Sequence, residues 1–163
     1  MLFPPTDVMG LGTMAVALDQ TGGVIGVWQP GTMVGFGLSQ EAGTPVWHEV
    51  QTRDYPGELA FFENAFGWKT AVLSDTDDFR YRTLKVDDVD YAGIMDGSGY
   101  LPEGAPSMWE IYIGVDDVDA SVVRAVELGG TVLMAAEDTP FGRIAKIADP
   151  TGGTIKLSSL AAA

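Results

Sequence analysis

Few residue types in this chain can carry out chemistry, and those present limit the kinds of active site that it can form. The 163 residues contain no cysteine, which excludes thiolate metal sites, cysteine nucleophiles and disulfides. His48 is the only histidine, so motifs with two histidine ligands are excluded and a Ser-His-Asp triad would depend on this one residue. Acid–base or electrostatic roles are left to carboxylates and lysines within apolar segments.

The segment around His48 alternates apolar and polar residues, which predicts a β-strand. Successive side chains of a strand point to opposite faces, so Trp47, Glu49 and Gln51 share one face. His48 and Val50 share the other face, where we expect His48 to be a half-buried polar residue unless the register differs by one. Glu49 is the candidate for a lone catalytic base; a structural hydrogen bond to a tyrosine or a backbone donor is the alternative.

Composition indicates a protein that avoids nucleic acid and membranes. Asp and Glu number 23 against 9 Lys and Arg, a net charge of −14, which repels phosphate backbones and anionic lipid surfaces. The apolar fraction of 46% is enough to build a core. The prolines in Met1–Pro5 do not match a signal peptide. With no disulfides to form, a cytoplasmic location is expected.

An internal repeat relates the two ends of the chain. The segment 12–25 recurs 130 positions later as 142–155, with seven identical residues. Each copy predicts two strands joined by a tight turn of the form Asp-x-Thr-Gly-Gly, since glycine is able to adopt a positive φ.

A second, weaker repeat has an offset of 63 and pairs Asp54 with Asp117 and Gly67 with Gly130. Each unit predicts a strand, a helix ended by glycine, and three more strands. The order βαβββ therefore occurs twice, which predicts the α+β class. The predicted elements are strands 46–52, 69–74, 79–86 and 91–95 with helix 57–65, then strands 109–115, 131–136, 144–148 and 154–158 with helix 120–128.

Domain boundaries follow from the repeats. Residues 1–37 are expected to be a β-hairpin remaining from a preceding βαβββ unit, 38–44 a linker, and 45–160 a domain made of units 45–100 and 107–160. Only the second hairpin copy is preceded by a full domain's length of chain, so the chain is expected to be the C-terminal part of a longer two-domain protein. The apolar hairpin residues must dock on this domain or on a partner subunit.

The tandem βαβββ order and several local motifs resemble the vicinal oxygen chelate superfamily, which contains glyoxalases, bleomycin-resistance proteins and extradiol dioxygenases. The resemblance covers 45–160 and implies a cupped mixed sheet with helices outside, to which the N-terminal hairpin is an addition. The motifs that carry it are Thr44–Asp54, Leu59–Trp68, Trp109–Asp117, Leu128–Thr131 and Ala148–Leu157.

In metal-dependent members of that superfamily, four strand positions aim His, Gln or Glu into the cup. The corresponding positions here are Trp47, Gly93, Glu110 and Lys156. Only Glu110 is a competent ligand, because Trp and Gly side chains do not coordinate and a cationic lysine opposes a divalent metal. The resemblance therefore implies no resident cofactor; a divalent metal, if bound, would use Glu110 with Glu49 or His48.

The resemblance also places Glu110 and Lys156 near each other on the cup floor. Lys156 would hold an anionic or carbonyl oxygen with Glu110 as base, or the two would form a structural ion pair; a lysine partner lowers a carboxyl pKa, which opposes the base role. The candidate catalytic residues are thus Glu49, Glu110 and Lys156. The candidate substrate-binding residues are Trp47, Gln51, Tyr91, Met95, Tyr112 and Ser158.

The leading hypothesis is a homodimeric protein that binds a small organic molecule without the usual metal, as in bleomycin-resistance proteins. One alternative is an enzyme of the lyase, isomerase or dioxygenase kind that uses the same side chains. The other is an interaction module that oligomerises through its N-terminal hairpin. Because one fold supports many chemistries, whether the protein is an enzyme stays open.

Overall fold

A computed structural model describes residues 1–160 as two units. Unit 1 contains residues 1–36 and 49–109, and unit 2 contains residues 37–48 and 110–160. The predicted α+β class is confirmed, with eleven strands and two helices in the described part of the chain. Neither of these two helices is long and apolar enough to cross a membrane.

Unit 1 holds an N-terminal antiparallel sheet and the first βαβββ series. The N-terminal sheet has the order β1-β2-β3, and the second sheet has the order β5-β6-β7-β4. Strands β4 and β7 are parallel, whereas β5, β6 and β7 are antiparallel neighbours, so this sheet is mixed. The elements are β1 Phe3–Asp7, β2 Gly12–Leu18, β3 Val24–Pro30, β4 Pro45–Thr52 (its Glu49–Thr52 part lies in this unit), α1 Tyr55–Phe66, β5 Thr70–Asp75, β6 Arg80–Val86 and β7 Val89–Asp96.

Unit 2 repeats the series, with its strands in the order β8-β11-β10-β9. As in unit 1, the first and last strands along the chain, here β8 and β11, are parallel neighbours. The predicted tandem βαβββ arrangement is therefore confirmed, and the observed bounds lie within three residues of the predicted ones. The elements are β8 Met108–Val115, α2 Val118–Glu127, β9 Thr131–Thr139, β10 Gly142–Ala148 and β11 Thr154–Ser159.

Both helices begin at the aspartates that the 63-residue repeat relates. Asp54 accepts a hydrogen bond from the Gly57 N–H at 3.1 Å, and Asp117 accepts one from the Ala120 N–H at 2.9 Å. Such caps satisfy backbone donors that have no partner within the helix, each worth about 1 kcal/mol. Helix α1 ends at Gly67 with φ 67°. After α2 the left-handed residue is Gly129 rather than the predicted Gly130.

The 130-residue repeat is equally visible in structure. At Asp19 and at Asp149, Oδ1 accepts hydrogen bonds from the N–H and hydroxyl of the threonine two positions on and from the glycine N–H four positions on. Gly22 and Gly152 have φ of 95° and 94°, a conformation that favours glycine. Two copies of one turn have thus kept one geometry, which confirms the predicted hairpins.

Strand β1 was not predicted, because its two prolines argue against a regular strand. It pairs antiparallel with β2, with a register shift between Phe3 and Thr6. Proline is tolerated here because β1 is an edge strand, where one row of backbone groups is not part of a ladder.

The core of unit 1 forms where α1 covers one face of its sheet. Val50 and Ile94 are buried against Tyr55 and Phe62 of α1, and Ile25 of β3 joins the same cluster. Phe62 also stacks on Trp68 with ring centroids 4.4 Å apart. Each such side chain contributes on the order of 2 kcal/mol by burial. The N-terminal hairpin therefore docks on this unit, one of the two outcomes expected for it.

Candidate functional site

Strand register places six residues of unit 1 on the sheet face opposite α1. Glu49 in β4 lies beside Gly93 in β7, which lies beside Thr83 in β6. Gln51, Met95 and Tyr81 form the next row in the same order. The strand alternation expected from the sequence is confirmed, because the intervening Val50 and Ile94 pack with α1 on the other side.

Glu49 is the centre of this face. Its side chain is 2% exposed, its Oε1 accepts from Gln51 Nε2 at 2.7 Å, and its Oε2 accepts from Tyr81 Oη at 2.9 Å. Gln51 also lies 4.0 Å from the Met95 sulfur. The hydrogen bond to a tyrosine was the structural alternative for Glu49, and it makes the carboxylate an oriented, buried acceptor.

Tyr81 is the residue of this face that sequence reasoning missed. An ideal Cβ built on Gly93 would lie 1.8 Å from Tyr81 Oη and 2.3 Å from its Cζ. The tyrosine ring thus occupies the space that a side chain at position 93 would need. The signal was present in the alternation of β6, in which Tyr81 and Thr83 point the same way, but only the register against Gly93 reveals the overlap.

Unit 2 carries a second polar group on β8, β10 and β11. Glu110 is 2% exposed, and its Oε1 forms an ion pair with Lys146 Nζ. Its Oε2 has no hydrogen-bond partner within residues 1–160. Lys156 instead donates to Tyr112 Oη at 2.7 Å and lies 4.6 Å from the centre of that ring. Lys146, which was not among the candidates, is thus the lysine that forms the ion pair with Glu110.

Lys146 could have been found from the turn that precedes β11. The Asp149 turn pairs Ala148 with Thr154, so Lys146 lies directly opposite Lys156. Two lysines and one carboxylate therefore share this face, in a chain whose net charge is −14. A local excess of positive charge of this kind favours an anionic or carbonyl oxygen.

The remaining candidates are distributed between the units. Unit 1 holds Tyr91, which is 55% exposed, whereas Ser158 of unit 2 is buried. Trp47 and His48 belong to unit 2 and are partly buried. Burial lowers the pKa of His48, so its neutral form is favoured.

The side chains present do not fit a divalent metal at the four superfamily positions. Tyr81 fills the space beside Gly93, and Glu110 is already paired with Lys146. Lys156 is a cation and Trp47 offers no donor for a metal. Across residues 1–160, no group of three or more His, Cys, Asp or Glu side chains could hold a metal ion.

The family is decided by the match of residues 47–158 to the Glyoxalase-like domain. This chain belongs to the glyoxalase-like domain family. The tandem βαβββ arrangement is that of the vicinal oxygen chelate superfamily, as its motifs implied.

Two curated relatives share about a third of its residues. CFP32 of Mycobacterium bovis, provisionally named a glyoxylase, is 34% identical over 93% of this chain and 58% of its own length. The anthracycline biosynthesis protein DauV of Streptomyces sp. strain C5 is 34% identical over 98% of this chain and 57% of its own length. The chain thus spans a little over half the length of these relatives.

Solved structures show the same fold. A methylmalonyl-CoA epimerase from Streptomyces coelicolor, in complex with 2-nitronate-propionyl-CoA, matches 75% of this chain and all of its own with a TM-score of 0.55. The epimerase from Mycobacterium tuberculosis matches 79% of this chain and 95% of its own with a TM-score of 0.52. At 18% and 20% identity these likenesses extend to the fold alone.

Proposed function

We propose that this glyoxalase-like protein binds a small organic molecule and has no resident metal. The observation that carries the proposal is the Tyr81–Glu49 hydrogen bond beside Gly93. A tyrosine ring stands where a side chain at position 93 would project, and its hydroxyl holds the neighbouring carboxylate. These contacts favour recognition of a ligand through hydrogen bonds over coordination of a metal ion.

The polar face of unit 1 has the chemistry of a ligand-binding surface. Glu49 and Gln51 supply an oriented acceptor and an amide, and the Met95 thioether adds a polarisable apolar contact. A few fixed polar groups among apolar ones are typical of small-molecule sites.

The relatives suggest probes for such a ligand. DauV is named for anthracycline biosynthesis, and the epimerase structures contain a coenzyme A derivative. A planar aromatic molecule would suit the aromatic candidates of unit 2, Trp47 and Tyr112, whereas an anionic thioester would suit the lysines of that unit.

Glu49→Gln tests the role of the buried carboxylate. We expect the substitution to weaken binding of an anthracycline or a coenzyme A thioester about tenfold or more, because a hydrogen bond to a charged group is worth roughly 1.5–3 kcal/mol. Titrations followed by tryptophan fluorescence and calorimetry measure it. Glu63→Gln, at an exposed position on α1, is the matched control and should bind normally. Equal ligand affinity of Glu49→Gln and Glu63→Gln would show that Glu49 does not contribute to ligand binding.

Elemental analysis tests the absence of a resident metal. Purified protein is incubated with nickel, manganese, iron(II) or zinc and then desalted. We expect less than about a tenth of an equivalent per chain, because the superfamily positions offer one carboxylate and a lysine. Near-stoichiometric metal would contradict the proposal and make Glu110, Glu49 and His48 the first ligands to mutate.

An enzyme is the second candidate, favoured by one observation in unit 2. Glu110 Oε2 is buried and has no hydrogen-bond partner in the part of the chain described, and Lys146 and Lys156 lie beside each other on the same face. A lyase, isomerase or dioxygenase-like reaction would use Glu110 as base with Lys156 at an oxygen. Turnover of a bound ligand, lost in Glu110→Gln and Lys156→Met, distinguishes this function from binding alone.

We also propose a cytoplasmic homodimer, as expected from the sequence. Light scattering of the intact chain and of a variant lacking residues 1–37 measures the oligomeric state. Loss of the oligomer on deletion, with no ligand for either polar face, would favour the interaction module.

A further inference from the structure

The turn between β2 and β3 is inserted into a polar recess of unit 1. Thr21 Oγ1 lies 2.7 Å from Ser107 Oγ and accepts from the Ser107 N–H at 2.8 Å. Ser107 Oγ also contacts Thr52 Oγ1 at 3.0 Å. A Cβ built on Gly23 would lie 2.3 Å from Asp19 Oδ2 and 2.6 Å from the Ser107 carbonyl oxygen. The turn is therefore tightly packed against the segment that precedes β8.

Glu58 of α1 forms the floor of this recess. Its side chain is 0% exposed, and its Oε2 accepts from Gln20 Nε2 at 3.0 Å and from Ser107 Oγ at 2.9 Å. Its Oε1 has no hydrogen-bond partner among the described residues. A fully buried carboxylate oxygen without a donor is costly when it carries charge.

Asp19 brings a second carboxyl group to the same place. Its Oδ1 is occupied by the three donors of the turn, and its carboxyl group lies close enough to Glu58 to repel it electrostatically. The pKa of Glu58 is raised to about 7, chiefly by burial and also by Asp19, while hydrogen bonds from Ser107 and Gln20 act in the opposite direction. The side chains that face the pair from the turn, from β4 and from the segment before β8 are neutral: Gln20, Thr21, Thr52 and Ser107.

A proton bound to Glu58 removes the repulsion between the two acids. It neutralises the buried charge and makes Glu58 a hydrogen-bond donor, so the two carboxyl groups attract instead of repelling each other. Loss of that proton leaves two negative charges between the N-terminal sheet and α1.

We propose that Glu58, beside Asp19, is a proton-dependent latch: a proton on its carboxyl group holds the N-terminal sheet on unit 1, and the loss of that proton loosens the turn. This latch is independent of the proposed ligand site, because none of its residues lies on the Glu49 face. The latch makes the attachment of the N-terminal sheet to the rest of unit 1 dependent on pH.

The direction of the pH effect follows from linkage. The pKa of Glu58 is raised in the folded state, to about 7 from an ordinary value of 4.5. Protonated Glu58 therefore contributes its full stabilisation below the pKa that it has in the unfolded chain, and this contribution is lost as the pH rises through about 7. The chain should be more firmly latched at mildly acidic than at mildly alkaline pH.

NMR titration of the intact, unmodified protein tests the latch directly. We expect the side-chain carboxyl carbon of Glu58 to titrate near pH 7. The amide signals of Thr21, Gly23 and Ser107 should shift or broaden with the same midpoint. A carboxyl carbon that titrates at an ordinary glutamate value, or amide signals that do not follow it, overturns the proposal.

Two variants separate the latch from a general effect of pH. Glu58→Gln mimics the protonated acid and should make the thermal midpoint flat between about pH 6 and pH 8.5, a range in which the native protein loses stability. Asp19→Asn keeps the Oδ1 acceptor of the turn and should move the Glu58 titration to lower pH. Glu63→Gln, on the same helix, should behave like the native protein.

The result also distinguishes a proton from a metal cation. Calcium or magnesium in millimolar amounts should leave the alkaline loosening unchanged. If either ion restores the amide signals of the turn at alkaline pH, a cation and not a proton joins the carboxyl groups, and the proposal fails. Equal pH dependence in Glu58→Gln and native protein also overturns it.

Discussion

Gly93→Ala is expected to lower the free energy of unfolding by about 3 kcal/mol or more, as for severe overpacking of a core. The added Cβ would lie 1.8 Å from Tyr81 Oη, 2.3 Å from Cζ and 2.7 Å from Cε1. The ring has little freedom to move, since it stacks on Phe79 at 5.4 Å and donates to the buried Glu49. Denaturant unfolding followed by fluorescence measures the loss.

Gly26→Ala is the matched control for this substitution. Gly26 lies in β3, and a Cβ there meets no atom within 4 Å, so its effect should stay within about 0.5 kcal/mol. Tyr81→Phe should not relieve the clash, because the ring carbons also stand too close. In a Tyr81→Ala background, by contrast, Gly93→Ala should cost little. Additive losses would show that Tyr81 does not fill this space.

The same clash bears on residue 93 as a candidate position for a metal ligand. Any side chain at residue 93, including a metal-ligating histidine or glutamate, would first have to displace the Tyr81 ring. A metal ligand at this position would then require changes at two positions, and it would remove the donor that holds Glu49. The packing of β6 on β7 therefore opposes metal coordination at residue 93.

Lys146→Met is expected to destabilise unit 2 by about 3 kcal/mol, because it leaves the charge of Glu110 buried and unpaired. Glu110 is 2% exposed, and the Lys146 side chain is itself mostly buried. Breaking one half of a buried ion pair costs far more than the pair contributes as a whole. Urea unfolding at neutral pH measures the change.

The double variant Glu110→Gln/Lys146→Met should recover most of that loss, since no buried charge is left. Lys85→Met breaks an exposed pair with Asp90 at 3.7 Å and should cost less than about 1 kcal/mol. If Lys146→Met costs no more than Lys85→Met, Lys146 does not neutralise Glu110, and Lys156 again becomes the residue to test.

Local patterns in the sequence were sufficient for the fold. Strand alternation, the helix-ending glycine at 67 and the Asp-x-Thr-Gly-Gly turns depend on residues a few positions apart, and the structure contains all of them. The repeats then gave the element order without any long-range contact. The exception was β1, whose prolines are acceptable only because the strand lies at an edge.

The partners of the candidate residues were decided by tertiary structure. Glu49 was identified as a candidate from strand alternation and Glu110 from the family resemblance, yet their partners Tyr81 and Lys146 come from strands 32 and 36 positions away. Glu58 was not a candidate residue, because a glutamate in the first turn of a helix is common. Its burial arises only when a turn 38 positions earlier in the chain closes over it. Such contacts depend on strand register and docking, which a local pattern does not encode, because the free energy of burying a charge depends on what the rest of the chain places around it.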